Sequence, residues 1–122
     1  MENPFETWAW NYRPLIWFAP VENDARLAEQ RAQFADVQDE LRDRDLALVE
    51  LIGDMVRILS GPELAIDARQ LHDRLGMAGD RFAEALVGQD TGIKLRSAEP
   101  VAAADLFRLI DSMPMRRQEM KQ

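Results

Sequence analysis

The residues with the most chemistry to offer lie in the last third of the chain. Asp90, Lys94 and Arg96 follow one another across a short polar stretch, and Asp111, Arg116 and Glu119 follow in the C-terminal segment. Mixed acids and bases of this kind do one of two things. They cross-link two elements through ion pairs, or they present ammonium and guanidinium donors, here Lys94, Arg96 and Arg116, to an anionic ligand or a protein partner. Nucleophilic chemistry has less to work with. The chain has no cysteine, so it supplies no thiolate, and thiol–disulfide exchange and peroxidatic-cysteine activity are excluded. His72 is the sole histidine, which leaves no histidine pair for zinc and no base placed to activate Ser60, Ser97 or Ser112. Met113, Met115 and Met120 are soft ligands of the type that suits Cu(I), but thioethers at such positions also serve as adaptable fillers of a core, and no metal or cofactor is expected. With 22 acidic residues, close carboxylate pairs arise by chance, so no acid/base catalytic role is assigned from abundance.

Size and charge narrow the classes further. A chain of 122 residues with 47% apolar composition can bury one core, whereas two domains would each be undersized. One domain over residues 1–122 is therefore expected. The net charge of −7 and the pI near 4.7 argue against phosphate tracking, so no nucleic-acid partner is expected. The longest apolar run, from Pro14 to Val21, is too short to span a bilayer, and no transmembrane segment is read. The N-terminus, Met1 to Pro4, carries no basic stretch followed by an apolar one, so no signal peptide is visible; a processed chain would look the same.

The elements that must position these residues follow from periodicity. Leu15 to Ala19 is continuously apolar between Pro14 and Pro20 and reads as a central strand covered on both faces. Asn23 or Asp24 then caps one long amphipathic helix with Leu27, Phe34 and Leu41 on its buried stripe. Leu46 to Leu51 is a second strand, close enough to the helix for a right-handed crossover that sets it parallel to the first. From Gly53 to Pro62 the pattern weakens, and a short helix is expected from Asp67 to Leu75, broken by Gly76 and Gly79. Phe82 to Val87 and Ile93 to Arg96 flank a polar turn as a β-hairpin. A last helix opens at Glu99-Pro100 and ends at Met113-Pro114. Residues 1–13 form an N-terminal aromatic segment, with Trp8, Trp10 and Tyr12 as a lid on the core or as interface anchors. Residues 115–122 form a polar, mobile tail. The expected fold is an α/β, thioredoxin-like βαβ-α-ββα sandwich with a mixed sheet of about four strands and no CxxC motif. In such a fold a redox centre would follow the first strand, at Pro20 to Asn23. What stands there is a helix start whose amides suit an anion, although Glu22 and Asp24 already bring acid to it.

Four motifs carry a family resemblance: Arg13-Pro14-Leu15-Ile16 leading to Phe18-Ala19-Pro20, Arg44-Asp45-Leu46, the hairpin Gly88 to Arg96, and Ile110 to Arg116 with Glu119. With these the chain resembles the bacterial P-DUDES domains, which are thioredoxin-like, of unknown function and related to the DUDES domains of animal extracellular matrix proteins. The chain departs from the family's hairpin at Gln89, where a lysine is expected, and at Thr91, where a glycine is expected. No catalytic activity comes with the resemblance, so none is carried over; it implies an envelope setting, periplasmic or secreted. The expected function is a non-catalytic binding or interaction domain. The alternative is a non-thiol enzyme or small-anion-binding protein linked to oxidative stress, in which Asp90, Lys94, Asp111 and Arg116 would converge in one concave pocket.

Overall fold

The computed structural model describes residues 5–62, 66–76 and 81–120. The expectations for residues 1–4 and for Gly79 fall outside that range. The elements are β1 (Arg13–Ala19), α1 (Ala25–Gln33), α2 (Gln38–Asp43), β2 (Leu46–Ile52), β3 (Met55–Ser60), α3 (Ala68–Leu75), β4 (Ala83–Val87), β5 (Ile93–Ser97), α4 (Ala103–Asp111) and α5 (Pro114–Met120). The sheet has five strands in the order β3-β2-β1-β4-β5, with β1 and β2 parallel and the other pairs antiparallel.

Side chains alternate across the sheet, which makes two cores. Leu15, Trp17, Leu48 and Leu86 face α1, α2 and α4 together with Leu27, Leu41, Leu106 and Ile110. Ile16, Phe18, Val49 and Ala85 face α3 and the N-terminal segment, with Leu71, Leu75, Phe5 and Trp8. Both faces of β1 and β2 are thus covered, which is why these strands read as continuous apolar runs.

Four expectations are corrected. The weak stretch after Gly53 is β3, an edge strand that exposes Met55 and Leu59 and so lacks a strong apolar signature. The sheet accordingly gains a strand over the four anticipated. The single long helix is two, because Asp36 takes a left-handed φ of 63° after the Phe34 cap and turns the chain. The last long helix begins at Ala103, and Pro100 precedes its Ala102 cap. The polar tail is ordered as α5 through Met120, with Pro114 at its first position, where a missing N–H costs nothing.

Local caps match the sequence. Asp24 accepts the amides of Arg26 and Leu27 at 2.9 and 3.2 Å, Asp67 caps α3, and Gly76 closes α3 at φ 66°. Asp24→Ala is expected to lower stability by ~1 kcal/mol and Asn23→Ala to leave it unchanged. Equal losses in urea titrations of the two variants would contradict the Asp24 cap.

The β1–β4 ladder covers only Leu15 to Phe18. Arg13 N–H donates toward β2, to Asp45 O at 2.8 Å. By alternation the missing N–H of Pro14 falls on the β4 side, so the ladder stops there. Its register, carried two residues further, would set Arg13 against Gly88.

Candidate functional site

Where that ladder stops, a cavity of about 330 Å³ opens. Arg13 forms one wall, the turn residues Gly88, Gln89 and Asp90 with Lys94 of β5 form another, and Met113 with Pro114 closes it from the C-terminal helices. It lies at the N-terminal end of β1, the end of the strand remote from Pro20 to Asp24.

The hairpin holds its polar groups close. Asp90 accepts Gly92 N–H at 2.9 Å and pairs with Lys94 Nζ at 3.0 Å. The Gly92 amide and the Lys94 ammonium keep its carboxyl below the ordinary aspartate value. A β-carbon on Gly88 would sit 2.5 Å from Lys94 Cε and 3.0 Å from Asp90 Oδ1, so the glycine makes room for the lysine stem across the turn. Thr91 adopts φ 67°, a left-handed conformation that is strained for a β-branched residue. This is the position at which the resemblance leads one to expect glycine. Thr91→Gly is therefore expected to stabilise the domain by about 1 kcal/mol, measured as a raised urea midpoint at constant slope. An unchanged or lowered midpoint would show the threonine to be at ease.

Behind the cavity runs an ion-pair network. Arg13, almost fully buried, donates to Arg44 O at 2.8 Å and to Glu119 at 3.0 Å. Arg116 binds Asp43 at 2.5 Å, Asp111 at 3.1 Å and Glu119 at 3.3 Å. Arg44 takes Asp111 at 2.9 Å and stacks on Phe107 with its guanidinium carbon 4.4 Å from the ring centre. Burial works against ionisation of Asp111, but Arg44 and Arg116 outweigh it and the carboxyl stays below its ordinary value.

The six residues singled out in the sequence therefore divide. Asp90 and Lys94 line the cavity. Asp111, Arg116 and Glu119 form the network behind it, and Arg13 joins the two groups. Arg96 lies apart, donating to Leu75 O at the end of α3. The four side chains of the enzymatic alternative do not share one pocket. Arg13 and Arg44 stood out only as members of family motifs and Asp43 not at all, since the contacts that bring them into the network span 31 to 106 residues of sequence. Gln89 stood out only as a departure from a family pattern, yet it lines the cavity and is 6% exposed.

Other candidates are accounted for locally. After β1, Arg31 grips the buried Glu50 with two bonds at 2.6 and 2.9 Å, and Arg57 joins both Glu50 and Glu22. Both cations are engaged there, and Asp24 occupies the start of α1. His72 Nε2 lies 2.9 Å from Gly53 O, and its ring packs edge-on against Phe18. Among the described residues no group of three or more His, Asp or Glu is placed to hold a metal ion. Met113 packs on the core and Met120 is exposed. Of the aromatic segment, Trp8 is buried, Tyr12 packs partly on the second core, and Trp10 is 65% exposed at φ 70°. No helix is long and apolar enough to cross a membrane among the described residues.

Comparison with known proteins gives a family and a fold. Residues 4–119 match the family described as Domain of unknown function (DUF4174). No curated protein matches. Among solved structures, a cysteine-to-serine mutant of the peroxiredoxin 6 of Arenicola marina superposes with a TM-score of 0.60 at 17% identity, over 93% of this chain and 66% of that one. The chain thus spans just under two thirds of that protein's length, and at this identity the likeness is one of fold, thioredoxin-like, and no more.

Proposed function

Since the chain belongs to the family of domains of unknown function DUF4174 and offers no thiol, we propose that it is a non-catalytic binding domain whose site is the cavity between Arg13, the β4–β5 turn and Met113-Pro114. The observation that carries this reading is Gln89. The residue is 6% exposed, and its carboxamide makes no hydrogen bond within the described residues while the residue lines an open cavity. Convergent polar groups on mainly apolar walls are what small binding sites consist of.

The test is a thermal-shift panel of metals, phosphate and carboxylate metabolites, sugars and short peptides. A ligand at a hundred times its dissociation constant adds ~2.7 kcal/mol, a shift on the order of 10 °C for a domain of this size. A shift that disappears in Gln89→Leu supports the cavity. A shift that survives in Gln89→Leu, or a compound consumed on incubation, overturns the reading.

In the same reading the chain is a P-DUDES domain that works in the cell envelope, periplasmic or secreted, and meets a protein partner there. The motifs around Gly88 to Arg96 and Ile110 to Arg116 support this. Fractionation of cells producing the native gene product tests it, and recovery in the cytosolic fraction would end it.

A further inference from the structure

We infer that the cavity takes the main chain of an extended peptide, with Gln89 holding one residue of it by both its N–H and its C=O. This rests on the binding reading above and specifies its ligand. The sealed, unpartnered polar side-chain atoms among the described residues are Trp8 Nε1 and Glu84 Oε2. The carboxamide of Gln89 is therefore not sealed, although the residue is 6% exposed. Gln89 lines the cavity, and we take its carboxamide to be the group presented there. A carboxamide presents a donor and an acceptor side by side, the complement of the N–H and C=O of one extended residue.

The molecule already uses that pairing once. Gln30, fully buried, donates Nε2–H to Val101 O at 2.8 Å and accepts Val101 N–H at Oε1 at 2.7 Å. There a glutamine side chain replaces a neighbouring strand and fixes the segment leading into α4. Gln89 has the same equipment with no segment in place.

The remaining walls select against the alternatives. Lys94 is committed to Asp90 at 3.0 Å and Arg13 to Glu119 at 3.0 Å. Each cation already has a carboxylate beside it, so an entering anion would meet repulsion from Asp90 and Glu119, whereas a neutral amide meets none. Met113 and Pro114 supply apolar surface, which suits the side chain of the captured residue better than the hydroxyls of a sugar. The volume of 330 Å³ lies at the small end of ligand pockets and fits a residue or two of chain.

The experiment uses 15N-labelled protein and three small probes. N-acetyl-leucine N-methylamide carries the N–H, the C=O and an apolar side chain. O-acetyl-leucic acid N-methylamide is the same molecule with that N–H replaced by oxygen. Methyl α-glucoside stands for a saccharide. The amide is expected to bind with a dissociation constant in the range of about 1–10 mM and to move the Gln89 side-chain NH2 resonances. The ester is expected to bind about tenfold more weakly, the worth of one hydrogen bond. Gln89→Leu should lose the preference for amide over ester; the ester comparison in the unmodified protein stands even if that variant fails to fold.

Equal binding of amide and ester, with the Gly88 and Lys94 signals moving, overturns the peptide inference and leaves the cavity as a binding site. Movement of the Gln89 NH2 signals by the glucoside and not by the amide overturns it in favour of a saccharide. No movement of cavity signals by any probe up to its solubility limit overturns both the inference and the binding reading.

Discussion

From about pH 5 to about pH 9 the domain is expected to lose roughly 15 °C of melting temperature, and Glu84→Gln is expected to abolish most of that loss. Glu84 sits on β4 opposite Trp17, fully buried, with one oxygen accepting the indole N–H at 3.1 Å and the other without a partner. Burial pushes its carboxyl up to about 8, against the partial relief of the Trp17 N–H. Among the described residues no cation pairs with it. Below 4.5 the folded and unfolded chains are both protonated and Glu84 contributes nothing to the pH dependence. Between 4.5 and 8 the unfolded chain ionises while the folded one keeps its proton, so stability falls as pH rises. Above 8 both are ionised and the loss, on the order of 4 kcal/mol, is complete.

Carboxyls with the opposite shift bound the other side. Asp90 and Asp111 are held below their ordinary values by their hydrogen bonds, so the stability they contribute is present above about pH 4 and is lost as pH falls through their folded values. Melting curves from pH 3 to 9.5 should therefore peak near pH 4 to 5, below the usual optimum for a globular domain. Glu84→Gln should match the parent protein at the peak and exceed it by more than about 10 °C at the alkaline end. Parallel curves for the two proteins would show that Glu84 does not titrate in this window.

Arg116→Ala is expected to cost about 3 kcal/mol and to free α5 from the body of the domain. The guanidinium is 6% exposed and binds three carboxylates and the Asp43 carbonyl, so it ties α5 both to the end of α2 and to the end of α4. Truncation leaves Asp111, Asp43 and Glu119 facing one another with one fewer cation. The same network fixes Arg13 through Glu119, so the cavity wall should loosen as well. Thermal unfolding would read this as a fall of about 12 °C, and amide exchange in residues 114–120 should approach that of unfolded chain. A loss below ~1 kcal/mol with unchanged exchange would reduce the network to a set of weak surface pairs.

The central elements were legible because burial on two faces leaves a plain signature: Leu15 to Ala19 and Leu46 to Leu51 have no exposed side to alternate with. The hairpin was legible from its polar turn. β3 was not, since an edge strand with Met55 and Leu59 in solvent and Arg57 among the acids carries neither a continuous nor an alternating pattern. The break between α1 and α2 turns on the backbone of Asp36, which periodicity over Phe34 and Leu41 passes across unnoticed. α5 read as a tail because it is held by charges, and ion pairs over long separations leave no mark on hydropathy. The site was half legible for the same reason. Asp90 and Lys94 are neighbours in sequence, whereas Arg13 reaches Glu119 across 106 residues. Gln89 could be noticed only as an unusual residue, because its significance lies in a bond it does not make.

Pro14 has a kinetic consequence. To close the cavity, β4 would have to zip two residue pairs further along β1, and the first of these meets a nitrogen that bears no hydrogen. The gap is built into the main chain, so no opening step precedes entry. Association at this face should follow a single exponential whose rate rises linearly with ligand concentration, without the plateau that a gated pocket imposes.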